Sequence, residues 1–106
     1  MKLSFSSAAR ADLRELRRYI SKELYNPSSA ERIISEIIKS CKRLKDFPML
    51  GVSVNEKYGI DIDARYRLLI SGNYIIVYKK EDVQIIIVRI INGRTDYMHI
   101  LMNELQ

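Results

Sequence analysis

Two stripes of apolar residues at helical spacing run through the first half of the chain. The first stripe consists of Ala9, Leu13, Leu16, Ile20 and Leu24. Intervals of three or four residues place these side chains on one face of a helix. Ser6 or Ser7 can cap its start, because a serine hydroxyl accepts hydrogen bonds from the free amides of the first turn. Pro27 disfavours helix at the preceding residue, so we predict an amphipathic helix that ends before it.

The second stripe lies between Pro27 and Pro48. Ser28 and Glu31 have the spacing of a capping box, in which two side chains satisfy each other's backbone amides. The apolar positions that follow are Ala30, Ile33, Ile34, Ile37, Ile38, Cys41 and Leu44. Cys41 lies on this stripe, so we interpret it as a small core residue. The two predicted helices and their short connection form an antiparallel hairpin.

β-forming residues replace the helical pattern in the second half. Segments 66–70, 74–79 and 83–91 are rich in Ile, Val and Tyr, and turn-forming or polar residues separate them. The third segment is apolar on both faces apart from Gln84 and Arg89, which is typical of a strand covered on both sides. We predict three strands and expect the helical hairpin to cover one face of their sheet.

Shorter elements complete the predicted fold. Lys2–Phe5 alternates polar and apolar residues as a short strand does. Residues 49–63 show no period and are predicted to form a loop, which can hold a short strand near 53–57. Thr95 can cap a short last helix, whose inner side would consist of Tyr97, Ile100, Leu101 and Leu105.

The order of these elements, β-α-α-β-β-β-α, predicts the α+β class. We expect a small antiparallel β-sheet packed against an N-terminal α-helical hairpin. A chain of 106 residues has room for one core. The prediction is therefore a single domain over residues 1–106.

Composition narrows the classes of function. The chain has one cysteine, Cys41, and one histidine, His99, so neither a disulfide framework nor a His/Cys metal site is available. No segment approaches the roughly 20 apolar residues of a membrane span. The N-terminus becomes polar too early for a signal peptide. We expect a soluble cytoplasmic protein that uses no metal or cofactor and binds no membrane.

The net charge of +5 is concentrated in the first half of the chain. Residues 1–50 contain 11 Lys and Arg and six Asp and Glu, whereas residues 51–106 contain seven of each kind. A basic surface of this kind favours nucleic acid or an acidic protein as a partner. A solvated helical face is the alternative interpretation, because this charge is modest for the chain's size.

Arg89 is the most unusual residue of the predicted sheet. It interrupts an apolar strand, and simple alternation places it on the same face as Ile87 and Ile91. Burying an arginine without a partner is costly. We therefore expect Arg89 either to pair with a carboxylate, Asp96 for example, or to point into an open groove.

Four other residues are candidates for function: Arg67, Arg94, Tyr97 and His99. Arginines that face an open sheet surface can bind phosphate or stabilise charge at phosphorus. Tyr97 and His99 lie close to Arg94 in sequence and can take part in proton transfer. A core position on the short last helix is the alternative for Tyr97.

Several segments, in this order, resemble toxins of the RelE/ParE superfamily, the toxic half of bacterial type II toxin–antitoxin pairs. The resemblance is carried by residues 6–13 with 18–20, by 30–44 with the Pro48-Met49-Leu50-Gly51 exit, by 66–68 with 74–78, and by 88–96. Each motif is loose alone, but their order and spacing are specific. The resemblance implies the fold predicted above. It also implies a cognate acidic antitoxin, in a heterodimer or heterotetramer.

The superfamily has two functional branches. RelE-type members are ribosome-dependent endoribonucleases that use basic residues and often a C-terminal tyrosine or histidine. ParE-type members poison DNA gyrase and have no established nuclease site. The helical opening and the ending at residues 93–96 resemble the ParE branch. Asn92 departs from both patterns, because a histidine usually stands there.

Chemistry separates the two branches. Metal-free RNA cleavage needs groups that move protons as well as cations at the phosphate, and this chain offers only poor candidates for the base. We therefore favour a ParE-like gyrase poison, in which the residues that contact the target would be Arg67, Arg89, Asn92, Arg94 and Tyr97.

Two alternatives stay open. The first is a RelE-like nuclease that acts on the ribosome and mRNA, in which the resemblance implies Arg67, Arg94, Tyr97 and His99 as catalytic residues. The second is a non-catalytic nucleic-acid-binding module, which the scarcity of aromatics among the basic residues disfavours.

Overall fold

The computed structural model describes residues 1–104, which form a five-stranded sheet with helices on both faces. The elements are β1 (Lys2–Phe5), α1 (Ser7–Arg18), α2 (Pro27–Arg43), β2 (Val52–Ser53), α3 (Val54–Tyr58), β3 (Tyr66–Ser71), β4 (Tyr74–Lys80), β5 (Gln84–Asn92) and α4 (Tyr97–Glu104). The strand order is β1-β5-β4-β3-β2. The predicted α+β class and helical hairpin are confirmed. The sheet is mixed, because β1 pairs with β5 in parallel and the other pairs are antiparallel.

Ser6 is the cap of α1, the first of the two predicted candidates. Its hydroxyl accepts from the Ala9 amide at 3.0 Å and donates to the Val88 carbonyl of β5 at 2.7 Å. The helix does not continue regularly to Leu24, because a π-helical turn follows at Tyr19–Glu23. This wider turn keeps Ile20 buried but leaves Leu24 55% exposed, so the prediction of Leu24 as part of the core stripe is wrong.

Asn26 caps α2, in place of the predicted capping box. Its side chain accepts from the Ser29 amide at 3.3 Å, and Pro27 occupies the first helical position, where its missing N–H costs nothing. Glu31 pairs instead with Arg17 of α1, at 2.8 Å. The predicted box at Ser28 and Glu31 is wrong because the helix begins two residues earlier than the box requires.

The helical hairpin packs on one face of the sheet. The buried residues of this first cluster are Ala9, Ile37, Cys41, Leu44, Ile76, Tyr78, Ile85, Ile87 and Ile90. Cys41 is fully buried, as predicted, and this burial raises the pKa of its thiol to about 12. The cysteine is therefore a core residue and carries no reactive thiolate at neutral pH.

The opposite face is covered by α3 and α4. The buried residues of this second cluster are Val54, Leu68, Ile75, Val77, Ile91 and Leu101. The prediction of a loop over 49–63 is wrong, because this region contains β2 and α3. Ser53 caps α3 by accepting from the Glu56 amide, and Gly59 ends it at φ 63°, a left-handed conformation that suits glycine. The expectation of a strand near 53–57 is therefore wrong beyond Ser53, because the residues that follow lie in α3.

A β-bulge divides β5. Tyr78 of β4 lies opposite Ile87, but the preceding Val77 lies opposite Arg89, so β5 carries one extra residue. The extra residue reverses the alternation of faces. Ile87 consequently belongs to the first cluster and Ile91 to the second, and the prediction that they share a face is wrong.

The last helix begins differently from the prediction. Thr95 does not cap it, because its hydroxyl donates to the Asn92 carbonyl at 2.6 Å. The Asp96 carboxylate instead accepts from the His99 amide at 3.4 Å. Tyr97, Ile100 and Leu101 pack inward as predicted, and Leu105 lies outside the described residues. None of the helices within residues 1–104 is long and apolar enough to cross a membrane.

Candidate functional site

Arg89 is held by a carboxylate of α1. Its Nε lies 2.8 Å from Oδ2 of Asp12 and its Nη2 lies 2.9 Å from Oδ1. Asp12 Oδ2 also accepts from the Ile90 amide at 2.9 Å. The two side chains are 21% and 17% exposed. The expected ion pair is present, but its carboxylate is Asp12 and not Asp96, because the bulge turns Arg89 toward the helical hairpin.

Sequence reasoning missed Asp12, although the sequence contained a signal. Asp12 lies three residues after Ala9 and four before Leu16, so it flanks the inner stripe of the first helix. It is also the acid of α1 nearest to the core, because Glu15 is exposed and pairs with Arg18. An arginine in a covered strand can therefore be expected to pair with an acid that flanks the apolar face of the covering helix.

Arg67 fixes the loop between α2 and β2. Its Nη2 and Nε donate to the Gly51 carbonyl at 2.6 and 3.1 Å. Tyr78, directly opposite Arg67 in the sheet, accepts from the Gly51 amide at 3.0 Å and donates to the Pro48 carbonyl at 2.8 Å. Side chains of the sheet thus bind both the amide and the carbonyl of Gly51. The contacts of Arg67 are therefore structural ones.

Gly51 has to be glycine at this position. A Cβ built on it would lie 2.4 Å from the Leu68 carbonyl oxygen and 2.8 Å from the Tyr78 ring. The loop can approach the sheet this closely only without a side chain. The Pro-x-x-Gly exit that the sequence suggested is therefore the point where the loop is fastened to β3 and β4.

Arg94 is exposed, just beyond the end of β5. The Asn92 side chain accepts from the Arg94 backbone amide at 2.9 Å, and its carbonyl accepts from Thr95. Within residues 1–104 the guanidinium of Arg94 has no hydrogen-bonded or ionic partner. Asn92 thus acts as a turn residue that presents Arg94 to solvent.

Tyr97 is bound to a second tyrosine that the sequence analysis did not single out. The hydroxyls of Tyr58 and Tyr97 lie 2.6 Å apart, and their rings meet edge to face at 6.3 Å between centroids. Burial and the hydrogen bond with Tyr97 raise the pKa of Tyr58 to about 12. Tyr58 therefore stays protonated at neutral pH. Helix α3, which the sequence did not predict, brings the two together.

Two neighbouring grooves meet at Tyr74. One contains Arg94 and Tyr97 beside Ile75, and the other contains Arg89 and Asn92. The structure thus brings Arg94, Asn92 and Tyr97 to one end of the sheet. Arg67 lies apart from them, beside Gly51. His99 is exposed on α4 and lines neither groove.

This arrangement suits contact better than proton transfer. A general base needs a free lone pair directed at its substrate, whereas the Tyr97 hydroxyl is engaged with Tyr58. In the described part of the chain, His99 has no side-chain hydrogen bond that would orient its ring beside Arg94. The end of the sheet offers an exposed cation and apolar grooves, which are features of a binding surface.

Comparisons with known proteins agree with this structure. Residues 3–97 match the family described as "ParE toxin of type II toxin-antitoxin system, parDE". A solved structure described as "Chromosomal ParDE TA system from P. aeruginosa" has 20% sequence identity and a TM-score of 0.70, and the match covers 87% of this chain and 95% of that chain. At this identity the likeness shows the fold. No curated protein matches the sequence significantly. The family match spans most of the sequence, and the chain belongs to the ParE toxins of type II toxin–antitoxin systems.

Proposed function

We propose that this toxin inhibits growth by poisoning DNA gyrase, through a contact surface at the end of the sheet and without catalysis. The surface, called here the β5-end surface, consists of Asn92, Arg94 and Tyr97 with the grooves beside Tyr74. The match to the ParE family over residues 3–97 carries the proposal. The exposed guanidinium of Arg94 supports it.

The contacts of the remaining candidates favour the same function. Arg67 is engaged with Gly51 and Arg89 with Asp12, so neither guanidinium is available for a scissile phosphate without breaking a structural contact. The Tyr97 hydroxyl is shared with Tyr58. A RelE-like reaction that uses Arg67 or Tyr97 would need that group to be released from its contact.

The test measures both targets with the same purified protein. Gyrase supercoiling of a relaxed plasmid is followed in a reaction without ribosomes, and message integrity is followed in a reconstituted translation reaction. We expect inhibition of supercoiling and intact message. Cleavage of ribosome-bound message with unaffected gyrase would replace the proposal by the RelE-like alternative.

We also propose that an acidic antitoxin covers the outer edge of the sheet. Strand β2 pairs only with Arg67 and Leu68, so within the described chain the rest of β3 has no outer neighbour. Val52 and Ile70 beside this edge are 49% and 69% exposed. An open edge with apolar side chains accepts an extended peptide. The net charge of +5 favours an acidic one.

Co-expression with the small acidic protein encoded next to this gene tests the antitoxin proposal. We expect the two proteins to co-purify. Ile70→Asp should weaken the complex at least tenfold, because it places a charge on the apolar edge and repels acidic residues. Val83→Asp is the matched control, since Val83 is 70% exposed in the turn after β4, at the opposite end of that strand from the Ile75 that pairs with Ile70. Equal affinity for both variants would place the antitoxin elsewhere.

A further inference from the structure

The charges of the helical hairpin are sorted between its two ends. Near the connection between the helices, Arg17 pairs with Glu31 at 2.8 Å and Arg18 pairs with Glu15 at 2.6 Å. Further pairs join Arg18 to Glu23 and Arg32 to Glu36. These ion pairs involve all four glutamates of the hairpin. They largely neutralise the arginines near the connection between the helices, called here the closed end.

The open end of the hairpin is mainly basic, with Asp46 as an exposed acid beside Lys45. Its exposed basic residues are Arg10, Arg14, Lys39, Lys42, Arg43 and Lys45, called here the basic end. Within residues 1–104, none of the six takes part in an ion pair. Asp12, the acid of early α1, is engaged by Arg89.

Helical geometry collects these residues on one surface. Lys39, Lys42 and Arg43 lie at spacings of three and four, on one face of α2, and Arg10 and Arg14 are one turn apart on α1. The ion pair between Arg17 and Glu31 aligns the antiparallel helices. Because about two turns separate Arg10 from Arg17 and Lys39 from Glu31, Arg10 and Lys39 lie at the same level of the hairpin.

We propose that the basic end binds the phosphate backbone of duplex DNA without regard to sequence. Like charges on one helix face repel each other, so an arrangement of this kind is best satisfied by regularly spaced anions. Five grooves of the described chain lie elsewhere and contain no residue of the basic end. Without a groove to anchor apolar side chains, a surface of cations fits phosphates better than an acidic peptide.

Single-stranded nucleic acid fits less well than a duplex. Binding of single strands relies on aromatic side chains on which successive bases stack. Of the described residues around the basic end, Phe47 is the exposed aromatic, at 62%. One ring cannot stack successive bases. The regularly spaced phosphates of a duplex can be bound by the cations alone.

The test is the affinity of the purified toxin for a 20-base-pair duplex of arbitrary sequence, measured by fluorescence anisotropy between about 50 and 200 mM NaCl. The variant Lys39→Gln, Lys42→Gln, Arg43→Gln should bind at least tenfold more weakly at the low-salt end. Its slope of log affinity against log salt should be smaller by about 2–3, since each phosphate contact contributes about 0.9. A second variant, Arg10→Gln with Arg14→Gln, should lose affinity in the same direction.

The matched control removes three charges from the closed end: Arg17→Gln, Arg18→Gln, Arg32→Gln. It has the same net charge as the first variant and should keep affinity within about threefold. Circular dichroism melting verifies that all three variants are folded. Equal losses in variant and control, tighter binding to a single strand than to the duplex, or displacement of the duplex by polyglutamate of equal charge would each overturn the proposal. Because gyrase is absent, the result does not depend on the proposed target.

Discussion

Arg89 in β5 and Arg94 just beyond its end have opposite surroundings. Arg89, within the strand, makes two hydrogen bonds to Asp12 and is 21% exposed. Arg94, five residues later, is exposed beyond the strand and held only through its backbone amide by Asn92. The comparison shows that an arginine in this fold stabilises it where α1 supplies a carboxylate, and is available to a partner where the strand has ended.

The largest expected effect of this difference is on stability at Arg89. Arg89→Ala would leave Asp12 as a charge with little solvent around it, and Asp12→Ala would remove an acceptor from both the Arg89 guanidinium and the Ile90 amide. Each change should cost about 2–3 kcal/mol, less than for a fully buried pair. For a domain of this size the melting temperature should fall by about 10–20 °C. Thermal denaturation checks this value.

Arg94→Ala is the matched variant for that measurement. It should change the melting temperature by no more than about 2 °C, since surface substitutions are usually nearly neutral. If Arg89→Ala is equally neutral, or Arg94→Ala equally destabilising, the contrast between the two arginines is wrong.

Arg67 lies between these extremes. Arg67→Ala removes two half-buried hydrogen bonds to the Gly51 carbonyl, so we expect a loss of about 1–2 kcal/mol. Urea denaturation of Arg67→Ala beside Arg94→Ala would measure the difference. A toxin with Arg67→Ala that keeps full stability and loses all activity would return Arg67 to the group of target-contacting residues.

The sequence predicted the helices and strands that carry a periodic hydrophobic pattern. It could not predict irregularities that arise from a single inserted residue. The stripes at Ala9–Ile20 and Ala30–Leu44 and the three β-rich segments recur at fixed periods, and the structure contains all of them. The π-helical turn at Tyr19–Glu23 and the bulge before Arg89 each insert one residue into a regular pattern, which periodicity cannot register.

The candidate site was predictable in its members but not in their partners. Arg94 and Tyr97 were singled out from their place after an apolar strand, and Asn92 from the family resemblance. Their role at the site stays a prediction. Tyr58 was missed because α3 has only five residues, too few to show a helical period. Asp12 was missed because its partner is 77 residues away in the sequence.

The smallest expected effect concerns an exposed charge pair at the other end of the sheet. Hydrogen bonds from Arg65 lower the pKa of Asp63 to about 2. A lowered pKa means that this interaction stabilises the fold above the ordinary value of 3.8 and is lost as the pH falls through about 2. In Arg65→Gln, a carbon-detected NMR titration should show the Asp63 pKa returning toward 3.8. An unchanged pKa would mean that Arg65 is not its cause.

The most direct test of contact without catalysis is a titration of gyrase supercoiling with three proteins. They are the unmodified toxin, the double variant Tyr97→Phe, His99→Gln, and Arg94→Ala. Tyr97→Phe and His99→Gln keep size but remove titratable groups, so the double variant should inhibit gyrase within about threefold of the unmodified toxin. Arg94→Ala should be at least tenfold weaker. Loss of inhibition by the double variant together with full inhibition by Arg94→Ala would contradict the account, since proton transfer typically contributes about 10²–10⁴-fold to a catalysed rate.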